Sequence, residues 1–136
     1  MRTKTFFIVT LLLISVVAYA DQVPEKRIVA PIGPDGAQHV DVLGGEYYFE
    51  PNVIVVKVNV PVELKVRKAG GVTPHDIVLK APEAGIDFSV SLSSEPTVIK
   101  FTPTKAGKYS FDCTKRLLFF KSHKERGMHG VIEVVE

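Results

Sequence analysis

Four side chains in the second half of the sequence have the chemistry of metal ligands: His75, Cys113, His123 and Met128. Cys113 is the one cysteine of the chain, so it cannot form an intramolecular disulfide bond. Its thiol is therefore buried and inert, paired with another chain, or bound to a metal. One thiolate, two imidazoles and one thioether are soft donors that favour copper. Two His and one Cys with a distant axial Met form the copper sites of electron-transfer proteins.

Strand alternation predicts where two of these side chains point. Tyr109, Phe111 and Cys113 occupy alternate positions of one segment, so the thiol shares the face of the two aromatic rings and points inward. His75 shares a face with Ile77 in the same way, at the start of another segment. Both potential ligands therefore lie at strand ends and can meet at one pole of the fold.

The loop after Cys113 carries the other two donors. His123 and Met128 lie on this loop, which leads into the last predicted strand and returns to the same pole. His129 follows Met128 directly and is an alternative ligand to His123, but we favour the interpretation that it is an exposed neighbour. A structural zinc site is also conceivable, although zinc has no use for Met128.

The elements that position these residues are predicted to be strands. The chain has 10 Gly and 9 Pro, and the prolines recur at roughly the ten-residue spacing of a β-sandwich. Between them run short segments rich in Val, Ile, Phe and Tyr, several of which alternate with polar residues. These predicted strands are residues 47–49, 54–60, 62–67, 75–80, 97–101, 108–113 and 131–135, with one more strand in the loose segment 21–37. The prediction is an all-β fold of seven to eight strands without an amphipathic helix.

The first twenty residues are predicted to be a secretory signal peptide. Arg2 and Lys4 precede a twelve-residue apolar run over 6–17, and Ala18 and Ala20 form a small-x-small cleavage signal. An uncleaved membrane anchor is the alternative, but the run is shorter than the ~20 residues that a membrane span needs. The domain therefore spans 21–136, in a periplasm or outside the cell. It carries 15 basic and 15 acidic residues, a balance without the basic excess of nucleic-acid binders.

The segments around the donors resemble the cupredoxin family of small blue-copper proteins. The resemblance rests on Pro74-His75-Asp76-Ile77-Val78, on the strand Gly107-Lys-Tyr-Ser-Phe-Asp-Cys113, and on His123 and Met128-His129-Gly130 ahead of the last strand. It implies a Greek-key β-sandwich with one type 1 copper ion. In this reading His75, Cys113 and His123 are the equatorial ligands and Met128 is the weak axial ligand.

Two features depart from the family pattern. Nine residues separate Cys113 from His123, a longer spacing than the small electron carriers have and closer to the type 1 copper loop of copper nitrite reductases. Asp76 follows the first His, where small neutral or amide residues are common. It leaves the hydrogen bond to the Cys sulfur unassigned, and such contacts tune a metal site strongly.

An apolar run inside the ligand loop allows two interpretations. Leu117, Leu118, Phe119 and Phe120 either fold down over the copper pole or form an exposed patch. An exposed patch ringed by cations suits docking to an acidic redox partner or to a membrane surface. The cations around the run are Lys115, Arg116, Lys121, Lys124 and Arg126, which otherwise form an ordinary solvated rim.

The leading functional hypothesis is an exported electron carrier that is not an enzyme. Its partner is a redox protein, or a copper-accepting protein, that docks near the loop between Cys113 and Met128. The alternative is a periplasmic copper-binding protein for copper delivery or resistance. A nitrite-reductase-like enzyme needs a second copper, for which only His39 and His129 remain. A metal-free β-sandwich leaves the order of the four donors unexplained.

Overall fold

The computed structural model describes residues 23–136, and the predicted signal peptide lies outside the described residues. These residues form ten strands and one short 3-10 turn, Pro82–Ala84. No helix among them is both long enough and apolar enough to cross a membrane. The strands are β1 (Arg27–Val29), β2 (Gln38–Gly45), β3 (Tyr48–Glu50), β4 (Val53–Lys57), β5 (Val62–Lys68), β6 (Asp76–Ala81), β7 (Ile86–Ser91), β8 (Thr97–Phe101), β9 (Gly107–Asp112) and β10 (His129–Val135).

The strands form two sheets that enclose one core. The six-stranded sheet has the order β1-β4-β10-β9-β6-β7, and the four-stranded sheet has the order β3-β2-β5-β8. Ile54, Leu64, Ile77, Phe111 and Ile132 are fully buried between them, and each such side chain contributes about 1.5–3 kcal/mol. The predicted all-β sandwich is confirmed. Both sheets and the core lie within the described residues.

The predicted number of seven to eight strands is too low, because two strands fall outside the predicted runs. β2 and β7 both alternate apolar and polar residues, but β2 contains His39, Asp41 and two glycines, and β7 contains Asp87 and two serines. The predicted strand over 54–60 is wrong in its second half. β4 ends at Lys57, and Asn59 adopts a left-handed φ of 60° where the chain crosses to the other sheet.

The order of the strands brings the predicted ligands to one edge. β9 lies between β10 and β6 and is antiparallel to both, with His129 opposite Asp112 and Val78 opposite Asp112. The end of β9 therefore lies beside the beginnings of β6 and β10. Cys113 directly follows β9, His75 directly precedes β6, and Met128 directly precedes β10.

Candidate metal centre

Three of the predicted ligands converge in the structure. His75 Nδ1 lies 3.2 Å from His123 Nδ1, and Cys113 Sγ lies 3.5 Å from His123 Nδ1 and 4.0 Å from His75 Nδ1. The circle through these three atoms, here called the donor triangle, has a radius of about 2.1 Å. Zinc–His and zinc–Cys distances in proteins are about 2.0–2.3 Å. A transition-metal ion at the centre of the triangle would thus stand at bonding distance from all three donors.

The donor triangle is shielded from water. His75 and His123 are each 3% exposed, and Cys113 is 0% exposed. Burial, followed by the nearby His123, lowers the pKa of His75, and burial followed by Arg126 lowers the pKa of His123. Both imidazoles are therefore held neutral, which is the state that binds a metal. The buried sulfur and nitrogen donors fit one copper ion.

The Cys113 thiol is the donor that must change its protonation state. Burial raises the pKa of Cys113, and the backbone N–H groups of Asp76 and Lys115 act against that rise. A bound cation favours the thiolate far more strongly than hydrogen bonds do, so metal binding displaces the proton.

Met128 is buried at the same pole, and His129 is not. The Met128 side chain is fully buried in the core. Its carbonyl accepts a hydrogen bond of 3.0 Å from the Cys113 N–H, and its N–H donates one of 2.9 Å to the His123 carbonyl. His129 is exposed. A Cβ at Gly44 would lie 3.3 Å from Met128 Cε and 2.4 Å from a Leu92 methyl group, so glycine leaves the room that the thioether side chain needs.

Asp76 links the two chain segments that carry His75 and Cys113. Its carboxylate is buried and accepts hydrogen bonds from the Thr114 N–H, at 2.6 Å, and from the Thr114 hydroxyl. Lys115 Nζ lies 3.9 Å from the same carboxylate. Since Asp76 follows His75 and Thr114 follows Cys113, this contact fixes the distance between the two ligands. The carboxylate that departs from the family pattern therefore has a structural role.

Tyr47 is a site residue that sequence reasoning missed. Its ring packs edge-on against the imidazoles, with centroid distances of 6.5 Å to His75 and 5.1 Å to His123. The Arg126 guanidinium lies 4.6 Å from the centre of the ring. Tyr47 has a left-handed φ of 64° in the turn between β2 and β3. Gly44 and Gly45 mark this turn in the sequence, but no spacing rule places it at the metal pole.

A cationic cleft opens beside Tyr47. It has a volume of about 670 Å³, and its lining includes Lys121, Lys124, Arg126 and His129 beside one carboxylate, Glu125. The cleft therefore gives the metal pole one polar, positively charged side.

His39, the remaining histidine, is elsewhere in the fold, where its Nε2 lies 2.9 Å from an Asp35 carboxylate oxygen.

The run Leu117, Leu118, Phe119 and Phe120 projects from the pole, and we call it the apolar tip. Its exposed fractions are 64%, 73%, 87% and 49% in that order, so the interpretation that it caps the pole is wrong. The loop closes beneath the tip, where the His123 N–H donates a hydrogen bond of 2.9 Å to the Lys115 carbonyl. The nine residues between Cys113 and His123 thus leave the donor triangle closed.

Solved structures with similar folds include several copper proteins. The metal-binding domain of the Cu(I)-exporting P-type ATPase CopA of Streptococcus pneumoniae matches with a TM-score of 0.63 and 20% identity, over 84% of this chain and 100% of that one. A copper binding protein in its apo form matches with a TM-score of 0.58 and 26% identity, over 79% and 96%. The blue copper protein auracyanin A of Chloroflexus aurantiacus has a TM-score of 0.56 and 18% identity, over 74% and 100%.

Enzymes are also among the structural neighbours. A copper-containing nitrite reductase of Thermus scotoductus matches with a TM-score of 0.52 and 21% identity, over 81% of this chain but only 28% of the enzyme. No protein-family model matches the sequence, and no curated protein sequence matches it.

Proposed function

Because this chain has the cupredoxin fold, we propose that it binds one type 1 copper ion and carries single electrons between redox partners. The ligands in this proposal are His75, Cys113, His123 and Met128. The observation that carries it is the donor triangle, whose three ligand atoms lie within 4.8 Å of one another in a buried site. The copper ion supplies the one-electron change between Cu(II) and Cu(I), and the protein supplies the fixed geometry.

The chain holds the donors so that they move little when the charge at the site changes. His75 and Cys113 are fixed by the strands that begin and end beside them, and by the contact of Asp76 with Thr114. His123 is fixed by its N–H bond to the Lys115 carbonyl. Burial excludes water that would otherwise reorganise. A rigid, dry site of this kind lowers the cost of electron transfer because few dipoles must reorient.

Electrons are proposed to leave on the side of Tyr47. This side chain is partly buried and contacts both imidazoles, and it borders the cationic cleft. A redox protein partner with an acidic surface fits the charge of Lys121 and Arg126 there, since complementary charge speeds and orients docking. The partner would thus dock near the loop between Cys113 and Met128.

Copper delivery or resistance is the second candidate function. The fold resembles both a metal-binding domain of a Cu(I) exporter and a copper binding protein. A delivery protein must release its ion on a working timescale. Slow exchange of copper with a chelator would therefore support the electron carrier, and fast exchange would support delivery.

We propose that the protein is exported and has no catalytic activity of its own. Export rests on the signal-peptide pattern of residues 1–20. A nitrite-reductase-like reaction requires further copper ligands, but His39 is paired with Asp35 and Glu63 away from the donor triangle. The remaining histidine, His129, is exposed.

The test is the visible and EPR spectrum of residues 21–136 after addition of one equivalent of Cu(II). We expect intense thiolate-to-copper charge transfer and a narrow copper hyperfine splitting. Cys113→Ala should abolish the colour, because it removes the thiolate. His129→Ala is the matched control and should leave the spectrum unchanged. A pale tetragonal spectrum of the unsubstituted chain, or colour retained in Cys113→Ala, would refute the proposed site.

Met128→Leu tests the axial ligand. The variant should keep the thiolate colour and have a more positive reduction potential, because an apolar side chain removes a donor that stabilises Cu(II). Protein-film voltammetry measures the shift. An unchanged potential would mean that Met128 only fills space.

A further inference from the structure

We propose that the apolar tip inserts into the interface of an anionic lipid membrane and so holds the metal pole at a bilayer surface. The membrane would be the surface at which the proposed electron carrier works, but the evidence for insertion of the tip does not depend on copper. It rests on the shape of the loop, on the exposure of its four apolar residues, and on the charges that flank them.

Hydrogen bonds and an ion pair fix the part of the loop that carries the tip. The Phe120 N–H donates a hydrogen bond of 3.0 Å to the Leu117 carbonyl and closes a tight turn. Beneath it, Arg116 lies 3.4 Å from the Glu125 carboxylate, which also accepts a 2.7 Å hydrogen bond from the Ser122 N–H. The tip therefore projects as a defined wedge.

The side chains of the tip are not used by the fold. The Phe119 and Phe120 rings lie side by side with centroids 5.5 Å apart, and Phe119 is 87% exposed. Leu118 adopts a left-handed φ of 49°, which is strained for any residue except glycine and, less so, Asn and Asp. A 73% exposed leucine at that position gains nothing from the core. Strained residues of this kind cluster at sites that bind something else.

The charges beside the tip favour an anionic lipid surface. Lys115 and Arg116 precede the tip, Lys121 and Lys124 follow it, and no acidic residue lies between 114 and 124. Lys121 takes part in none of the ion pairs found among residues 23–136, whereas the other three cations each lie within 4.0 Å of a carboxylate oxygen. An apolar wedge between cations matches the interfacial anchor, in which apolar side chains enter the boundary of the acyl chains while Lys and Arg contact anionic headgroups.

A membrane fits this surface better than a protein does. All four apolar side chains of the tip are consecutive and project from the pole. A protein partner would need a matching pocket deep enough to receive them, whereas a bilayer interface accepts them without one. Insertion would hold the metal pole at the bilayer, which favours a redox partner that is itself a protein of the same membrane.

The test is co-sedimentation of metal-free residues 21–136 with vesicles. Vesicles of phosphatidylcholine with phosphatidylglycerol are compared with phosphatidylcholine alone. We expect binding to the mixed vesicles that the double substitution Phe119→Ser and Phe120→Ser weakens about a hundredfold. Lys121→Gln should weaken it about fivefold. Val98→Ser, at an exposed valine of β8, is the matched control and should bind as the unsubstituted chain does.

Three outcomes would overturn the inference: no binding of the unsubstituted chain to the mixed vesicles, equal binding of the double variant, or equal binding to both kinds of vesicle. Self-association that the double variant abolishes, without vesicle binding, would assign the tip to a second copy of the chain. A tip that binds only an acidic protein would likewise leave the vesicles unbound. Because the metal-free chain is used, the result is independent of the copper spectrum.

Discussion

The loop between Cys113 and Met128 has two parts that differ in burial and in hydrogen bonding. Lys115, His123 and Met128 form its base, and the apolar tip forms its end. His123 and Met128 are buried, and backbone hydrogen bonds join His123 to Lys115 and Met128 to Cys113. The tip is apolar yet exposed, and it contains Leu118 in a strained backbone conformation. The base therefore contributes to the sandwich and its metal centre, whereas the tip contributes to neither. The residues that hold the donors and the residues that are exposed are therefore separate parts of one loop.

The largest expected effect comes from removing a ligand of the base. His123→Ala should lower the affinity for Cu(II) by about a hundredfold or more, since loss of even a hydrogen-bond partner of a ligand costs about 10–100-fold. Phe119→Ala, four residues earlier in the tip, should leave the affinity unchanged. Competition with a chelator of known affinity measures both. Equal losses in the two variants would contradict the separation of base and tip.

A smaller effect is expected from the contact that holds the base to the neighbouring strand. Asp76→Ala leaves the Thr114 N–H without its acceptor and should lower the free energy of unfolding by about 1–3 kcal/mol. Asp76→Asn keeps one acceptor oxygen and should restore part of the loss. Urea unfolding of the metal-free protein measures both variants. Unchanged stability in Asp76→Ala would show that the contact does not brace the donors.

The pH dependence of stability tests whether the two imidazoles of the metal pole are buried in the neutral form. Burial lowers the pKa of His75 and His123 from the ordinary value of 6.5, so the unfolded chain binds protons more readily than the folded one. The contribution of these two histidines to the free energy of unfolding of the metal-free chain should therefore be constant above about pH 6.5 and fall as the pH drops below it. Urea unfolding at about pH 7.5 and about pH 5.5 measures the difference.

The control for this pH effect removes His39, whose contribution to stability has the opposite pH dependence. Asp35 raises the pKa of His39, so that pair stabilises the fold at low pH and loses its contribution as the pH rises through the raised pKa. The comparison is therefore made in a His39→Gln background. Replacing His75 and His123 together by Gln should flatten the dependence. A slope that survives this replacement would have another origin.

The smallest effect is expected at the tip. Leu118→Gly relieves the left-handed backbone strain but gives the unfolded chain more freedom, so the net change in stability should be within about 1 kcal/mol. The same urea titration measures it. A loss of several kcal/mol would show that the Leu118 side chain packs against the fold, contrary to its exposure.

Strand alternation predicted the burial of two donor side chains, but it carried no information about the surface around them. Alternation within a strand is a local rule, so Cys113 and His75 could be predicted to point inward at strand ends. That these two ends lie side by side depends on the order of the strands in the sheet. Tyr47 could not be placed at the metal pole, because its contacts with both imidazoles depend on the path of a turn about thirty residues or more from any ligand.

The apolar tip and the missed strands illustrate a second limit. Leu117 and its neighbours are equally consistent with a lid and with a projection, because hydrophobicity alone does not say whether a loop turns inward. β2 and β7 have regular alternation, but glycines, serines and acids weaken their strand propensity. Burial between two sheets outweighs that propensity.

The bond between the His123 N–H and the Lys115 carbonyl makes the tip an exchangeable module. Everything that this bond encloses lies outside the ladder of β9 and β10, and doubling the length of a flexible loop costs only about 0.6 kcal/mol in closure entropy. The residues between 115 and 123 can thus be shortened, lengthened or replaced while the same donors stay in register. Proteins with the same donor residues could in this way bind different surfaces through substitutions in this one short segment.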